Sequence, residues 1–139
     1  MSRALDRHHR ADGMVSVWLG TFPDEASHEQ YFKEDWEDQD HDGFPSCPFW
    51  SDFGIRWFDH DFQEGGFVGN PVPVAELLAR NWSHLDTFRE PLIARCAQAG
   101  IGTANSVMFL YDFDYPDRAG YSSPHMTFVG VFPYSNGDA

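Results

Sequence analysis

Residues 46–62 read SCPFWSDFGIRWFDHDF, a run dense in aromatic side chains and closed by Asp59 and Asp61 around His60. Taken as a strand from 53 to 62, it alternates faces with a period of two. Phe53, Ile55 and Trp57 share one face, and Asp59 and Asp61 continue it. Arg56, Phe58, His60 and Phe62 take the other. Apolar identity changes sides at Trp57-Phe58, which requires a bulge there or cover on both faces. The two aspartates then fall about 6.5–7 Å apart at the end of the strand. Three uses compete for them: a solvated strand end, a partner contact, and metal or acid–base chemistry.

Working outward, residues 14–22, MVSVWLGTF, form the first strand. Val15, Val17 and Leu19 lie on one side, and Trp18 and Phe22 on the other, so the strand is central. Asp24 caps a helix that follows, with Ala26, Tyr31, Phe32 and Trp36 offered inward, and the helix fails near Asp35. Residues 34–43, EDWEDQDHDG, read as a charged loop. Gly65-Gly66 and Gly69-Asn70-Pro71 end the second strand in turns. Val74, Leu77, Leu78 and Leu85 sit at helical spacing in a helix over 74–82. Asp86 or Thr87 caps a further helix through Gln98, with Phe88, Leu92 and Cys96 inward and Pro91 in its first turn. Gly100 and Gly102 stop it.

Residues 106–115, SVMFLYDFDY, form a third strand, with Val107, Phe109, Tyr111, Phe113 and Tyr115 on one face. Met108, Leu110, Asp112 and Asp114 occupy the opposite face. Residues 125–134 form a fourth strand, with Met126, Phe128, Phe132 and Tyr134 together. The expected class is α+β, a mixed four-stranded sheet with packed helices in the order β-α-β-α-α-β-β. A right-handed crossover makes the first two strands parallel, strands two and three antiparallel, and strands three and four a long-looped hairpin.

The chain has 139 residues, of which 42% are hydrophobic and 17% aromatic, enough for one domain with a substantial core. Residues 14–135 are read as that domain, and the polar residues 1–13 as a disordered tail. The formal charge is −13 and the pI about 4.6. Such a surface opposes nonspecific binding to nucleic acid or to an anionic membrane and suits a cationic partner. Between Asp24 and Glu64, thirteen acids face only Lys33 and Arg56, a net −11. Two cysteines, Cys47 and Cys96, are too few for a disulfide framework and read as reduced thiols. No apolar run spans a bilayer and no signal-peptide core follows the basic MSRALDRHHR, so the expected location is cytoplasmic.

Residues 38–43, DQDHDG, match the first half of a calcium-binding EF-hand loop, but Phe49 stands where the bidentate glutamate is needed. Asp59/Asp61 and Asp112/Asp114 are D-x-D pairs that could serve a two-metal site only if they met, and antiparallel strands put their ends at opposite edges. No nucleophile elbow, P-loop or zinc spacing is present. No catalytic residue, metal or cofactor is assigned.

The strand VSVWLGTF with Trp18-Leu19-Gly20, the acidic helix after it, and Pro48-Phe49, Asp52-Phe53-Gly54-Ile55, Phe58-Asp59 and Asp61-Phe62 resemble the immunity protein 22 family of bacterial polymorphic toxin systems. The likeness is closest over residues 14–69. The resemblance implies a small cytoplasmic protein that binds and neutralises a cognate toxin domain, without catalysis. Many such toxins are nucleases with cationic clefts, and the −11 stretch complements a cleft of that kind. The expected contact set is Asp38, Asp40, Asp42, Trp50, Asp52, Trp57, Asp59, Asp61 and Phe62, acids for orientation and aromatics as anchors. Two alternatives from other classes are a metal-dependent hydrolase using the Asp/His cluster and an acidic adaptor without a toxin partner.

Overall fold

The computed structural model describes residues 10–39, 45–55, 63–80, 82–115 and 122–135. The elements run β1 (Arg10–Gly20), α1 (Glu25–Phe32), β2 (Asp35–Gln39), β3 (Pro45–Ser46), α2 (Pro48–Phe53), β4 (Gln63–Pro73), α3 (Val74–Leu77), a 3-10 turn at Leu85–Thr87, α4 (Arg89–Gln98), β5 (Thr103–Phe113) and β6 (Met126–Pro133). The class is α+β, as expected. A four-stranded sheet has the order β4-β5-β1-β6, and a separate ribbon pairs β2 with β3.

The main sheet is antiparallel at every junction rather than mixed. β4 and β1 do run in the same direction, as a crossover requires, but β5 is inserted between them. β5 and β6 are likewise not a hairpin. They flank β1, each antiparallel to it, and so run parallel to one another.

The expected second strand is replaced by two elements. Residues 48–53 are helical because Pro48 sits at the first turn and Gly54 ends the helix in the left-handed region at φ 66°. Phe49, Trp50 and Phe53, spaced i, i+1 and i+4, are its buried side. The strand is β4 instead, in the Gly/Pro-rich run that had read as turns. β4 lies at the edge of the sheet, where missing donors and absent side chains are tolerated. Residues 56–62, with Trp57, Asp59, His60, Asp61 and Phe62, lie outside the described residues.

Each face of the sheet carries its own core. On one, Val15, Val17, Leu19, Val107 and Phe109 pack with Leu77, Leu78, Leu85, Phe88, Leu92 and Cys96. On the other, Trp18, Phe22, Leu110, Met126 and Phe128 pack with Tyr31, Phe49, Trp50 and Phe53. Trp18 is fully buried in rings, 5.2 Å from Phe49, 5.3 Å from Tyr115 and 5.2 Å from Phe128. Aromatic pairs of this kind add about 0.5–1.5 kcal/mol each beyond area burial.

Two strands change phase. Asp112 adopts φ 57°, so Phe113 and Tyr115 join the Trp18 core instead of the face of Tyr111. Ser16 Oγ locks this end, donating to Phe113 O at 2.6 Å and accepting from Tyr115 N at 3.0 Å. In β6 the register slips between the partners of Val17 and Trp18, Gly130 and Phe128. Phe132 therefore packs on the Leu92 side, with Tyr134 against the same cluster, away from Met126 and Phe128.

Boundaries shift as well. β1 begins at Arg10, so 10–13 belong to the sheet rather than to a tail. Tyr134 N donates to Gly13 O at 2.9 Å. The helix expected through Trp82 stops at Leu77, where the Trp82 indole donates to the Leu77 carbonyl at 2.9 Å.

Candidate interaction surface

α1 starts where the sequence placed it, with Asp24 Oδ1 accepting from Ser27 N at 2.8 Å. That hydrogen bond holds the Asp24 carboxyl below its usual range. Glu25 and Glu29 project from the helix into solvent. The inward side of α1 is Tyr31, whose hydroxyl donates to Asp52 Oδ2 at 2.8 Å and lies 2.9 Å from Ser123 Oγ. Burial pushes the Tyr31 hydroxyl far above its ordinary range, so it stays protonated as a donor. Cys47 Sγ donates to Tyr31 O at 3.6 Å, a second tie between α1 and the start of α2.

β2 leaves this support two residues after α1. Residues 34–43 had read as loop, but 35–39 form a strand. It pairs antiparallel with β3, Asp35 opposite Ser46 and Gln39 opposite Pro45. All five of its residues are exposed. Glu37 N donates to Asp35 Oδ1 at 3.0 Å, and Gln39 Nε2 to Trp36 O at 2.8 Å. Trp36, expected to turn inward from α1, is instead 57% exposed. It is the one exposed large hydrophobic side chain among the described residues. Asp35, Glu37 and Asp38 surround it in sequence, so the ribbon presents an indole in a frame of carboxylates.

Of the nine expected contact residues, three fall in the described residues. Asp38 is exposed on β2. Trp50 is 7% exposed and belongs to the aromatic core of α2, not to an open anchor. Asp52 is half-buried and accepts from Tyr31, which gives it a structural role between α1 and α2. Asp40, Asp42, Trp57, Asp59, Asp61 and Phe62 lie outside the described residues, as does most of the calcium-like loop.

Asp112, the aspartate of the other D-x-D pair with a bent backbone, also has internal work. Its Oδ1 accepts from Gly13 N at 2.9 Å and from Tyr134 Oη at 2.7 Å. These bonds hold together the phase change in β5, the start of β1 and the end of β6. Among the described residues no group of three or more His, Cys, Asp or Glu side chains is placed to hold a metal ion. Burial raises both thiols, Cys96 to about 11, so neither is activated at neutral pH.

Sequence reasoning missed Trp36 as an exposed residue because its i, i+4 spacing from Phe32 put it on the inward side of α1, which instead ends at Phe32. The available signal was the acids that bracket it, Glu34, Asp35, Glu37 and Asp38. Residues 15–135 match the immunity protein 22 family. The chain belongs to that family. Membership supports a general immunity role for this immunity protein 22 member and points to a non-enzymatic one. No curated protein and no solved structure matches the chain. Among the described residues, no helix is long and apolar enough to cross a membrane.

Proposed function

We propose that this immunity protein binds and neutralises a cognate toxin domain of a polymorphic toxin system in the cytoplasm, through the acidic surface built on β2 and α1. The observation that carries the reading is Trp36, 57% exposed between Asp35 and Glu37. Exposing an indole is unfavourable unless something covers it, and tryptophan is a common energetic centre of protein interfaces. The carboxylates around it suit a rim that steers a basic partner and fixes its register. Asp40 and Asp42 continue the same acidic run, and Asp59 and Asp61 extend the proposal to the residues after α2. A toxin that handles phosphates, such as a nuclease, has the cationic cleft this charge complements.

The experiment is to reverse Glu37 and Asp38 together to Lys and to follow association with the toxin domain at increasing salt. Both side chains are exposed, so melting stays near wild type. The wild-type association rate falls steeply with salt, and the variant associates at least about tenfold more slowly at low salt with a flatter dependence. Wild-type kinetics and full growth protection in the folded variant would remove the ribbon from the interface.

A further inference from the structure

The first half of β4 is an unguarded sheet edge. Residues 63–67 pair with β5, from Leu110 back to Ser106, and among the described residues no strand pairs on their other side. Beyond Phe67 the register shifts, and Pro71 and Pro73 withhold donors, which is how native edges are blunted. Residues 63–67 have no proline, no lysine and no such shift. Their one charge, Glu64, is engaged on the Leu92 side of the sheet, accepting from Tyr111 Oη at 2.9 Å and Ser83 N at 3.1 Å. Gln63 and Gly65 are exposed.

Gly66 shares the side of Glu64, and there the Trp82 ring already fills the place of a Cβ, 2.6 Å away. Gln63, Gly65 and Phe67 lie on the Trp18 side. On that side a pocket of about 460 Å³ opens beside the edge, walled by Phe32, Phe49, Trp50 and Met108, with Gly65 as its floor. A Cβ on Gly65 would stand 2.9 Å from the Val107 carbonyl oxygen and 3.2 Å from Met108 Cε, so the strand supplies no side chain of its own at this point. Glycine within a strand marks a place where another backbone comes close, and a ring from a facing strand covers the gap it leaves. Residues opposite one another on paired strands direct their side chains to the same face. A strand added outside β4 therefore projects the residue opposite Gly65 into the pocket.

Charge selects the occupant. The pocket walls in α1 and α2 belong to the stretch between Asp24 and Glu64, whose net charge is −11. A second copy pairing edge to edge would set two such stretches against each other, whereas a basic segment is drawn to one. We propose that residues 63–67 receive an extended, basic segment of the toxin as a fifth strand of the sheet, with an aromatic side chain opposite Gly65 seated in the pocket. The proposal rests on the reading of the chain as a toxin-binding immunity protein and names the mode of that binding, backbone pairing for affinity and one pocket for specificity.

The test is amide hydrogen exchange of the full chain, read by NMR alone and in complex with the toxin domain, together with isotope-filtered contacts to the Met108 methyl group. Along a paired strand only alternate residues direct their N–H to a given neighbour. In the complex, alternate amides of residues 63–67 should exchange at least about fivefold more slowly, the scale of one hydrogen bond gained. Aromatic protons of the toxin should meet the Met108 methyl group. A stable complex in which these amides exchange as in the free chain, or in which no toxin ring meets Met108, would overturn the proposal. If Trp36→Ala still weakens association in that case, the parent reading stands without it. If no toxin domain associates, the parent reading falls and this occupant with it. The free chain should sediment as a monomer, and a dimer showing the same alternate protection would put a second copy in the toxin's place and overturn the assignment.

Discussion

Trp36 and Trp18 show how differently one residue type is used in this chain. Trp18 is fully buried among Phe49, Phe53, Tyr115 and Phe128, while Trp36 stands 57% exposed on a ribbon of acids. The small residue beside the buried tryptophan matters as much. A Cβ on Gly20 would fall 2.1 Å from the His125 carbonyl oxygen and 2.3 Å from Met126 Sδ. A backbone carbonyl cannot step aside as a side-chain tip can, so Gly20→Ala is expected to cost about 1–3 kcal/mol. Chemical denaturation checks this, and an unchanged midpoint would mean that β6 moves freely at its first residue. His28 supplies a pH test. Its ring lies 5.1 Å from Phe22 and 5.0 Å from Phe67, and burial lowers its proton affinity, against the opposing pull of Glu29 and Glu25. The unfolded chain binds a proton near pH 6.5 and the folded chain only at lower pH. Stability from neutral His28 is therefore present above about pH 6.5 and lost as pH falls through the folded value. The wild-type melting temperature should drop more between pH 7.5 and 5.5 than that of His28→Gln. Parallel curves would show that His28 does not sense the change.

At the scale of elements, local periodicity identified what packs on one side and failed where the backbone changes phase. α4, β1, and the core faces of Val15, Val17, Leu19, Leu92 and Cys96 were legible because each has an unbroken period, whereas α1 was legible from its Asp24 cap, since Tyr31 is its one buried residue. Residues 48–53 were misread because the alternation from Phe53 onward suggested a strand. Pro48 and Gly54, at the two ends of a short helix, were the better evidence. β4 was illegible because its edge position tolerates glycine and proline that would be expensive in a central strand. The phase changes at Asp112 and Val129-Gly130 depend on pairing with β1, a contact nearly 100 residues away in sequence for Asp112 and Gly13. Of the candidate site, the acidity was legible and the exposed indole was not, since only the β2–β3 pairing lifts it from the core. The start of β1 gives an element-scale prediction. Deleting residues 1–13 removes the Gly13 N–H donated to Asp112 and the Gly13 carbonyl that accepts from Tyr134 N. Two hydrogen bonds of about 1 kcal/mol each should lower the melting temperature by roughly 5 °C or more at this chain length. Deletion without any change would mean that 10–13 pair with the sheet at no net gain.

For the whole molecule, the two faces of the sheet divide the labour. The Leu92 face is closed by α3, α4 and the turn at Leu85–Thr87, with Arg95 lying 5.6 Å over the Phe132 ring. The Trp18 face is closed by α1 and α2, and these carry the acidic ribbon. Mutations on the first face should therefore act through stability, and exposed changes on β2 through association. The direct measurement is the equilibrium affinity of the toxin domain for Trp36→Ala, alongside wild type. The side chain is exposed and adds little to the core, so the variant should melt within about 0.5 kcal/mol of wild type. Its dissociation constant should rise about thirtyfold or more, the scale of an interfacial tryptophan lost from a hot spot. A folded Trp36→Ala protein that binds the toxin domain with wild-type affinity would contradict the account.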